Sequence, residues 1–243
     1  MKSPIRKSSL FLLKKAIEEY QQEKSLRLAQ KIQNQYAKVV LKQLPKWKNL
    51  QPSNNLIVAG IDVAIKPNTQ DAIAGIVILD SHHKIFQQYY VKKNLIFPYI
   101  PGFLSFREVE ILIELFENIH IVPDVLFIDG QGIAHPRFVG IAVHLGIILN
   151  LPTIGVGKTK LIGQYKNFAL KKGNYEKLIY KNTHIGWAVC TRDDSQPIFV
   201  SPGWKVSMTS ALELTLAFSK YKIPEPTRIA HNYVNSVRKS FFG

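Results

Sequence analysis

The sequence lacks the features that would indicate a secreted or membrane protein. Its single cysteine, Cys190, cannot form an internal disulfide, which favours a reducing compartment. No uncharged apolar stretch reaches the roughly 18 residues that a transmembrane helix needs. The basic N-terminus leads into the apolar run 10–13, but Lys14 and Lys15 end that run too early for a signal peptide. We therefore expect a cytoplasmic protein that does not bind membranes, and we also expect a monomer.

Acidic residues are scarce relative to basic ones. The 17 Asp and Glu residues face 32 Lys and Arg residues, which gives a formal net charge of +15 and a pI near 9.8. Such an excess attracts polyanions, among which nucleic acid is the first intracellular candidate, although a generally basic solvated surface is the alternative. Residues 1–50 hold twelve Lys and Arg but three acids. This segment is a candidate electrostatic contact surface for nucleic acid.

The chain divides into an N-terminal extension and a core domain. Residues 8–43 are rich in Lys and Gln and have helical periodicity, with Leu28, Ile32, Tyr36, Val39 and Val40 on one apolar stripe. Proline and asparagine between 45 and 55 indicate a loop. We therefore predict a basic helical extension over 1–50 and a catalytic domain over 51–243.

The core domain has the pattern of an α/β fold. Three consecutive strand-like runs have connections too short for crossover helices, which predicts an antiparallel meander. The predicted strands are 56–65, 72–79, 85–91, 125–128, 153–156, 186–191 and 198–201, the last two as a hairpin, and the predicted helices are 103–116, 136–149, 207–220 and 227–240. Residues 157–183 are basic and less regular. This order fits a mixed β-sheet with helices on both faces.

One carboxylate stands out in the first predicted strand. Asp62 lies in a run that is apolar on both alternating faces, and an unpaired carboxylate buried there costs several kcal/mol. A bound metal ion would compensate for this cost. A hydrogen bond to the backbone or to a lysine would do so equally well, and the residues alone do not separate the two.

Two further acids are candidates with ordinary structural alternatives. Asp129 ends a short buried strand, where ligand sites of α/β sheets lie, but Asp before Gly130 is also common turn chemistry. Glu108 follows Ser105 at the spacing of a helix capping box. From the residues alone, that spacing favours a capping role for Glu108.

Four separate segments change this interpretation when they are taken together. They are Pro-Tyr-Ile-Pro-Gly-Phe-Leu-Ser-Phe-Arg-Glu at 98–108, Asp-Gly-Gln-Gly-Ile-Ala-His-Pro-Arg at 129–137, Gly-Val-Gly-Lys at 155–158 and Pro-Glu-Pro-Thr-Arg-Ile-Ala-His at 224–231. In this order they resemble the signature segments of endonuclease V, and the resemblance extends from residue 56 to about 238. It implies an RNase H-like fold.

The resemblance also implies a reaction and a metal. Enzymes of this family cut one strand of nucleic acid at the second phosphodiester 3′ to a deaminated base, chiefly hypoxanthine, with Mg²⁺ or with Mn²⁺ in its place. Asp62, Glu108 and Asp129 would bind the metal, His231 would complete the catalytic site, and Lys158 would contact the phosphate beside the cut. Mg²⁺ prefers oxygen ligands, and the lack of a Cys/His cluster argues against zinc.

The resemblance implies substrate-binding residues as well. Tyr99, Ile100 and Pro101 would form the wedge that fills the gap left by the flipped base, Gly130 and Gly132 would make room for that base, and His135 would line the site. Gln131 and Trp204 stand where the family often has histidine, and Val63 follows Asp62 where a serine is usual. These departures affect the expected base selectivity, whereas all three carboxylates are present.

Three alternatives remain open at this stage. The enzyme could act mainly on inosine in single-stranded RNA, and the sequence offers no clear reader of the 2′-hydroxyl that would separate RNA from DNA as the substrate. It could be a nucleic-acid-binding module without turnover, although three carboxylates in a chain of charge +15 argue against this. It could also be a general RNase H-like nuclease such as a resolvase or transposase, which would lack the wedge and the glycine-rich base pocket.

Overall fold

The first three strands form the predicted antiparallel meander. β1 (Val58–Ile65) pairs with β2 (Asp71–Leu79), which pairs with β3 (Ile85–Asn94). The β2–β3 turn is tight because the Asp80 carboxylate accepts hydrogen bonds from two backbone amides of the turn. β1 and β2 are largely buried, whereas β3 is an exposed edge strand, so the apolar character of each run matches its place in the sheet.

All eight strands belong to one sheet in this computed structural model, which describes residues 5–47 and 49–242. The later strands are β4 (Val125–Asp129), β5 (Thr153–Gly157), β6 (Tyr175–Tyr180), β7 (Thr183–Val189) and β8 (Ile198–Trp204). Their spatial order is β3-β2-β1-β4-β5-β8-β7-β6, with β1, β4 and β5 parallel and the other pairs antiparallel. The predicted α/β class with a mixed sheet is confirmed.

Helices cover both faces of the sheet. They are α1 (Lys7–Glu23), α2 (Arg27–Gln43), α3 (Leu104–Phe116), α4 (Ile141–Leu149), α5 (Met208–Ala217) and α6 (Glu225–Phe242), with a short 3-10 helix at Leu44–Lys46. Residues of α1–α4 share one apolar core with Ile61 and Ile128, and residues of α5 and α6 share a second core with Val58 and Phe127. Alternation along β1 and β4 thus separates the two cores.

The N-terminal extension packs onto the α3 and α4 layer. It forms two helices instead of a continuous one, because Lys24 ends α1 in the left-handed region with φ 54°. On α2, Ile32, Tyr36 and Val40 are buried as predicted, but Val39 is 44% exposed. The predicted domain boundary between 50 and 51 stays a prediction, and residues 1–4 and 48 of the extension lie outside the described residues.

The helix predicted over 136–149 begins later, at Ile141. Phe138 adopts φ 57°, a left-handed conformation that a helix does not tolerate, so residues before Gly140 form a loop. Pro136 is therefore not at the first helical position. The loop lies beside the site described below.

Strand β6 lies within residues 157–183, where the sequence predicts no regular structure. It pairs with β7 across Lys181 and Asn182, which have φ 48° and 58°. Positive φ at two successive residues is typical of the tight turn of a β-hairpin, and Lys-Asn is a weak sequence signal for it. The predicted hairpin between β7 and β8 is confirmed, with Ala188 opposite Phe199.

Candidate active site

Three predicted site residues lie where the parallel pairing of β1, β4 and β5 ends. Ile61 of β1 pairs with Ile128 of β4, so the next residues, Asp62 and Asp129, are neighbours on one face of the sheet. Asp129 in turn pairs with Val156 of β5, and Lys158 follows the end of that strand. Parallel pairing therefore brings together side chains separated by up to 96 positions, at the edge where α/β sheets bind ligands.

The fourth residue, His231, reaches this edge because α6 lies unusually close to β1. A Cβ atom on Gly60 would be 1.7 Å from the carbonyl oxygen of Pro226, so only glycine permits this contact. Two residues along a strand and five along a helix both span about 7 Å. Asp62, two residues beyond Gly60, consequently meets His231, five residues beyond Pro226.

Asp62, Asp129 and His231 form a compact group of potential metal ligands. One ligand atom from each lies within 4.8 Å of the others. His231 Nδ1 is 2.9 Å from Asp62 Oδ2, and its Nε2 is 2.9 Å from Nδ2 of Asn235. Asn235 was not predicted, although its i+4 spacing from His231 on a helix would have indicated the contact. It orients the imidazole ring toward the carboxylate.

Glu108 lines one pocket together with Asp62 and Asp129, and it belongs to α3, on the face of the sheet opposite α6. The pocket, of about 140 Å³, is lined by the two aspartates, Glu108 and apolar residues of β1, β4, α3 and α4. Glu108 lies outside the 4.8 Å group. The capping-box alternative is wrong, because Phe103 is the N-cap residue without a side-chain cap and Ser105 Oγ instead contacts His144 Nδ1 at 2.9 Å.

The electrostatics of this pocket favour a cation. Burial, followed by repulsion from Asp62, raises the pKa of Glu108 to about 8, while Arg107 opposes the shift. Burial and repulsion from Asp129 also raise the pKa of Asp62, although His231 and Lys158 lower it. A divalent ion would relieve this mutual repulsion, and two carboxylates with one imidazole are suitable ligands for it. The residues therefore fit a divalent metal ion.

Lys158 forms an ion pair with one of the aspartates. Its Nζ is 2.5 Å from Asp129 Oδ2, and 44% of the lysine side chain is exposed. The ammonium group is therefore beside the carboxylates and open to a ligand. This position agrees with the predicted contact of Lys158 with a phosphate, which stays a prediction.

A second pocket, of about 110 Å³, adjoins the first. Leu104 and Ile141 line both, and the second is also lined by Tyr99, Gly102, Ser105, Gln131, His135, Val139, Gly140 and Leu161. Tyr99 is 67% exposed and is therefore not a buried loop aromatic. Pro101 beside it is exposed, and Ile100 is half-buried. Leu161, which no sequence signal indicated, is also exposed.

His135 belongs to this second pocket and not to the acidic one. It is buried, and burial together with the charge of Arg137 lowers its pKa to about 4, against a hydrogen bond with the backbone of Gly102. The ring is therefore neutral at physiological pH. Arg137 N donates to Nδ1 of His135 at 3.2 Å, and this hydrogen bond fixes the His135 ring within its own loop.

The two glycines of the 129–132 turn have packing roles. A Cβ on Gly132 would be 2.1 Å from the carbonyl oxygen of Pro202, and Gly132 N donates to Ser201 Oγ. Gly130, with φ 150°, faces the Ile141 side chain. The pocket lining includes Gln131, between them, but neither glycine. Their predicted contribution to base binding stays a prediction.

The two departures from the expected histidines have different surroundings. Gln131 lines the second pocket and donates from Nε2 to the carbonyl oxygen of Thr159 at 3.2 Å. Trp204 is buried against Trp47 of the N-terminal extension, with ring centroids 5.4 Å apart. Gln131 thus belongs to the wall of the second pocket, whereas Trp204 contributes to packing.

Comparisons with known proteins agree with this geometry. The family model for Endonuclease V matches residues 37–232. Endonuclease V of Thermosipho melanesiensis is 41% identical over 196 residues, which cover 80% of this chain and 85% of that protein. The crystal structure of endonuclease V from Streptomyces avermitilis is 31% identical with a TM-score of 0.75, covering 86% of this chain and 94% of that one.

A further solved structure contains nucleic acid. Endonuclease V of Ciona intestinalis, in complex with a 24mer DNA containing an inosine followed by a ribo-adenosine, is 28% identical with a TM-score of 0.70. The match covers 85% of this chain and 98% of that one. These likenesses confirm the α/β fold that the sequence resemblance implies.

Proposed function

Because the chain belongs to the endonuclease V family and is therefore a nuclease, we propose that it is a DNA-repair endonuclease that recognises deaminated bases. Its substrate is DNA containing hypoxanthine, and it hydrolyses the second phosphodiester 3′ to the lesion. The observation that carries this proposal is the adjacency of two pockets. One is lined by Asp62, Glu108 and Asp129, with His231 beside the two aspartates, and the other is lined by the exposed Tyr99.

Asp62, Asp129 and Glu108 would hold Mg²⁺, with His231 completing the site. An ion held by these carboxylates would supply an activated water and would stabilise the departing 3′ oxygen. Asn235 and Asp62 hold the His231 ring from its two nitrogens, so this residue is oriented before substrate binds. Lys158, beside Asp129 and partly exposed, would contact the phosphate next to the cut.

The second pocket would receive the extruded base. Tyr99, Ile100 and Pro101 would fill the gap left in the stack, which offsets part of the few kcal/mol that base flipping costs. His135 lines the pocket as a neutral ring, so it is able to accept or donate a hydrogen bond without introducing a charge. Gln131 adds an amide at the pocket wall, and Gly130 and Gly132 shape the turn on which it lies.

A nicking assay tests this function. A duplex with one inosine and Mg²⁺ is compared with the same duplex containing guanine, for the wild type, Asp62→Ala and Asp129→Ala. We expect a single cut in the inosine strand, a loss of at least about a hundredfold in each variant, and no cut in the guanine duplex. Nicking that persists in both variants would contradict the assignment of the site.

Inosine-containing RNA is a second candidate substrate. It is favoured by the ribo-adenosine that follows inosine in the DNA bound by the Ciona protein. Matched single-stranded RNA and DNA oligonucleotides with one inosine separate the two, and a higher kcat/KM on RNA would make the protein an endoribonuclease. A binding module without turnover would bind these oligonucleotides but cut neither with any divalent ion. The monomeric state and the cytoplasmic location stay predictions.

A further inference from the structure

We propose that Gln33, on helix α2 of the N-terminal extension, is a positioning residue for base recognition. This inference rests on the proposed function, because it concerns the pocket that receives the base. Gln33 holds the turn at Gly102 that connects the Tyr99 wedge to helix α3. The N-terminal extension thereby becomes part of the recognition machinery, beyond any contact of its basic surface with nucleic acid.

Gln33 is fully buried, although the other glutamines of the middle of α2, Gln30 and Gln35, are exposed. A buried amide costs free energy unless both of its ends are hydrogen-bonded. Gln33 Nε2 donates to the carbonyl oxygen of Gly102 at 2.9 Å, and its Oε1 accepts from Nε of Arg137 at 2.5 Å. Both ends of the amide are therefore hydrogen-bonded. Gly102 lines the second pocket, and Arg137 belongs to the loop that contributes His135 to the lining of that pocket.

Arg137 also bonds to Gly102, so Gln33, Arg137 and Gly102 are each hydrogen-bonded to the other two. Its Nη2 donates to the same Gly102 carbonyl oxygen at 2.6 Å, and its guanidinium lies over the Phe103 ring, 4.3 Å from the centroid. The Gly102 carbonyl thus accepts from two side chains of different elements. Two donors from different directions restrict the orientation of this peptide more than one donor would.

The orientation of Gly102 determines where the wedge lies. Gly102 has φ 79°, and a Cβ there would be 2.7 Å from Arg137 Nη2, so the turn requires glycine. The backbone of Ile100 accepts from Phe103 N across the turn at 2.9 Å. Tyr99 is exposed and is positioned through this turn. A wedge on a fixed turn meets the gap in the stack without first having to be ordered, which lowers the entropic cost of binding.

None of the four signature segments contains Gln33. The family model begins at residue 37, so Gln33 also precedes the residues that this model matches. Gln33 also lines neither pocket and is not among the acidic group. It therefore acts through Gly102 and Arg137, and its removal should affect capture of the base without affecting metal binding.

The test compares Gln33→Leu with Gln35→Leu, the same substitution at an exposed position of the same helix. Single-turnover nicking of an inosine duplex gives the rate constant and the half-saturating enzyme concentration, and Mn²⁺ titration measures metal affinity. A 2-aminopurine placed beside the inosine reports loss of stacking in the metal-free complex. Gln33→Glu retains the acceptor for Arg137 but removes the donor to Gly102, which provides a second variant if Gln33→Leu does not fold.

For Gln33→Leu and Gln33→Glu we expect the half-saturating concentration to rise about tenfold and the 2-aminopurine signal to fall. Mn²⁺ affinity and the behaviour of Gln35→Leu should match the wild type. Wild-type values for both Gln33 variants would overturn the inference while leaving the proposed function intact. If Mn²⁺ affinity and base unstacking fell equally in the Gln33 variants, the role of Gln33 would be purely structural, which would also overturn the inference. A wild type that does not nick inosine would overturn the proposed function and this inference with it.

Discussion

At the residue scale, the candidate metal site consists of acids that repel one another in the absence of a cation. Asp62 is nearly buried, with 10% of its side chain exposed, and Glu108 approaches it from the other layer of the fold. Their raised pKa values mean that ionising this pocket costs free energy that folding elsewhere must supply. A site of this kind is maintained for the ligand it binds and not for the stability of the protein.

Glu108→Gln should therefore stabilise the metal-free protein and weaken metal binding. The folded pKa of Glu108, about 8, is above its ordinary value of 4.5, so the wild type loses stability as pH rises between these two values. Removing the charge removes this loss. At pH 8 we expect a gain of about 4 kcal/mol in the free energy of unfolding.

Urea denaturation in EDTA measures this gain, and Mn²⁺ titration should show an affinity at least about tenfold lower. Glu117→Gln, at an exposed position just beyond the same helix, is the control and should change neither quantity. A lower stability of Glu108→Gln at pH 8 would contradict the raised pKa.

At the element scale, close packing between helix α6 and the sheet determines where His231 lies. Gly60 and Gly75 both face α6, and a Cβ on Gly75 would be 2.5 Å from the Val234 side chain. Asp62 pairs with Gly75 across β1 and β2, so the missing side chain beside it leaves room for the helix. These glycines therefore influence the position of His231, although neither belongs to the group of potential metal ligands.

Gly60→Ala should move α6 away from β1 and separate His231 from Asp62. Because the new methyl group would meet backbone atoms of Pro226, which cannot rotate away, we expect a loss of about 3 kcal/mol or more in unfolding free energy. Mn²⁺ affinity should fall as well. Gly173→Ala is the comparison, since its Cβ would be in open space and only its φ of 92° opposes alanine.

That comparison variant should lose about 1 kcal/mol and keep its metal affinity. Both quantities are measured by urea denaturation and Mn²⁺ titration. Equal losses in the two variants would show that the approach of α6 has no special importance.

At the scale of the whole molecule, a buried histidine makes stability depend on pH. His144 is fully buried, in contact with Ser105 and between the rings of Tyr36 and Phe106, and burial lowers its pKa to about 3. The unfolded chain takes up this proton below its ordinary pKa of 6.5, and the folded protein does not. Stability is therefore unaffected by this residue above pH 6.5 and falls as pH decreases from 6.5 toward 3.

The expected slope from His144 is at most about 1.4 kcal/mol per pH unit. His144→Leu should reduce this slope between pH 6 and 4, even if it lowers stability at pH 7 by leaving Ser105 without its partner. His82→Leu, at an exposed position, should retain the wild-type slope. Denaturation at several pH values measures it, and an unchanged slope in His144→Leu would contradict the low pKa.

The net charge of +15 predicts a second whole-molecule property, the salt dependence of DNA binding. Binding to undamaged duplex should weaken at least about tenfold between 50 and 200 mM salt, because phosphate contacts release counterions. Lys24→Glu combined with Lys31→Glu, both exposed on the N-terminal extension, should lower the slope of log affinity against log salt. An unchanged slope would exclude these two lysines from the contact surface.

The sequence by itself determined the fold class, the meander and the candidate acids, for a local reason. Strand periodicity, short connections and an aspartate within a buried strand are all visible within a few consecutive residues, as β1 and Asp62 show. The resemblance added Glu108, Lys158 and His231, which no local pattern distinguished from a helix cap or from surface residues. The predicted start of α4 was wrong because no local sequence pattern indicates the left-handed conformation of Phe138.

Only the tertiary structure decided which side chains meet. Parallel pairing of β1, β4 and β5 brings Asp62, Asp129 and Lys158 together, and the close approach of α6 at Gly60 adds His231. Gln33, 69 positions before Gly102, is a further example. These contacts join distant segments, and they depend on strand order and helix packing, which arise from burial of the whole apolar surface and not from any one segment.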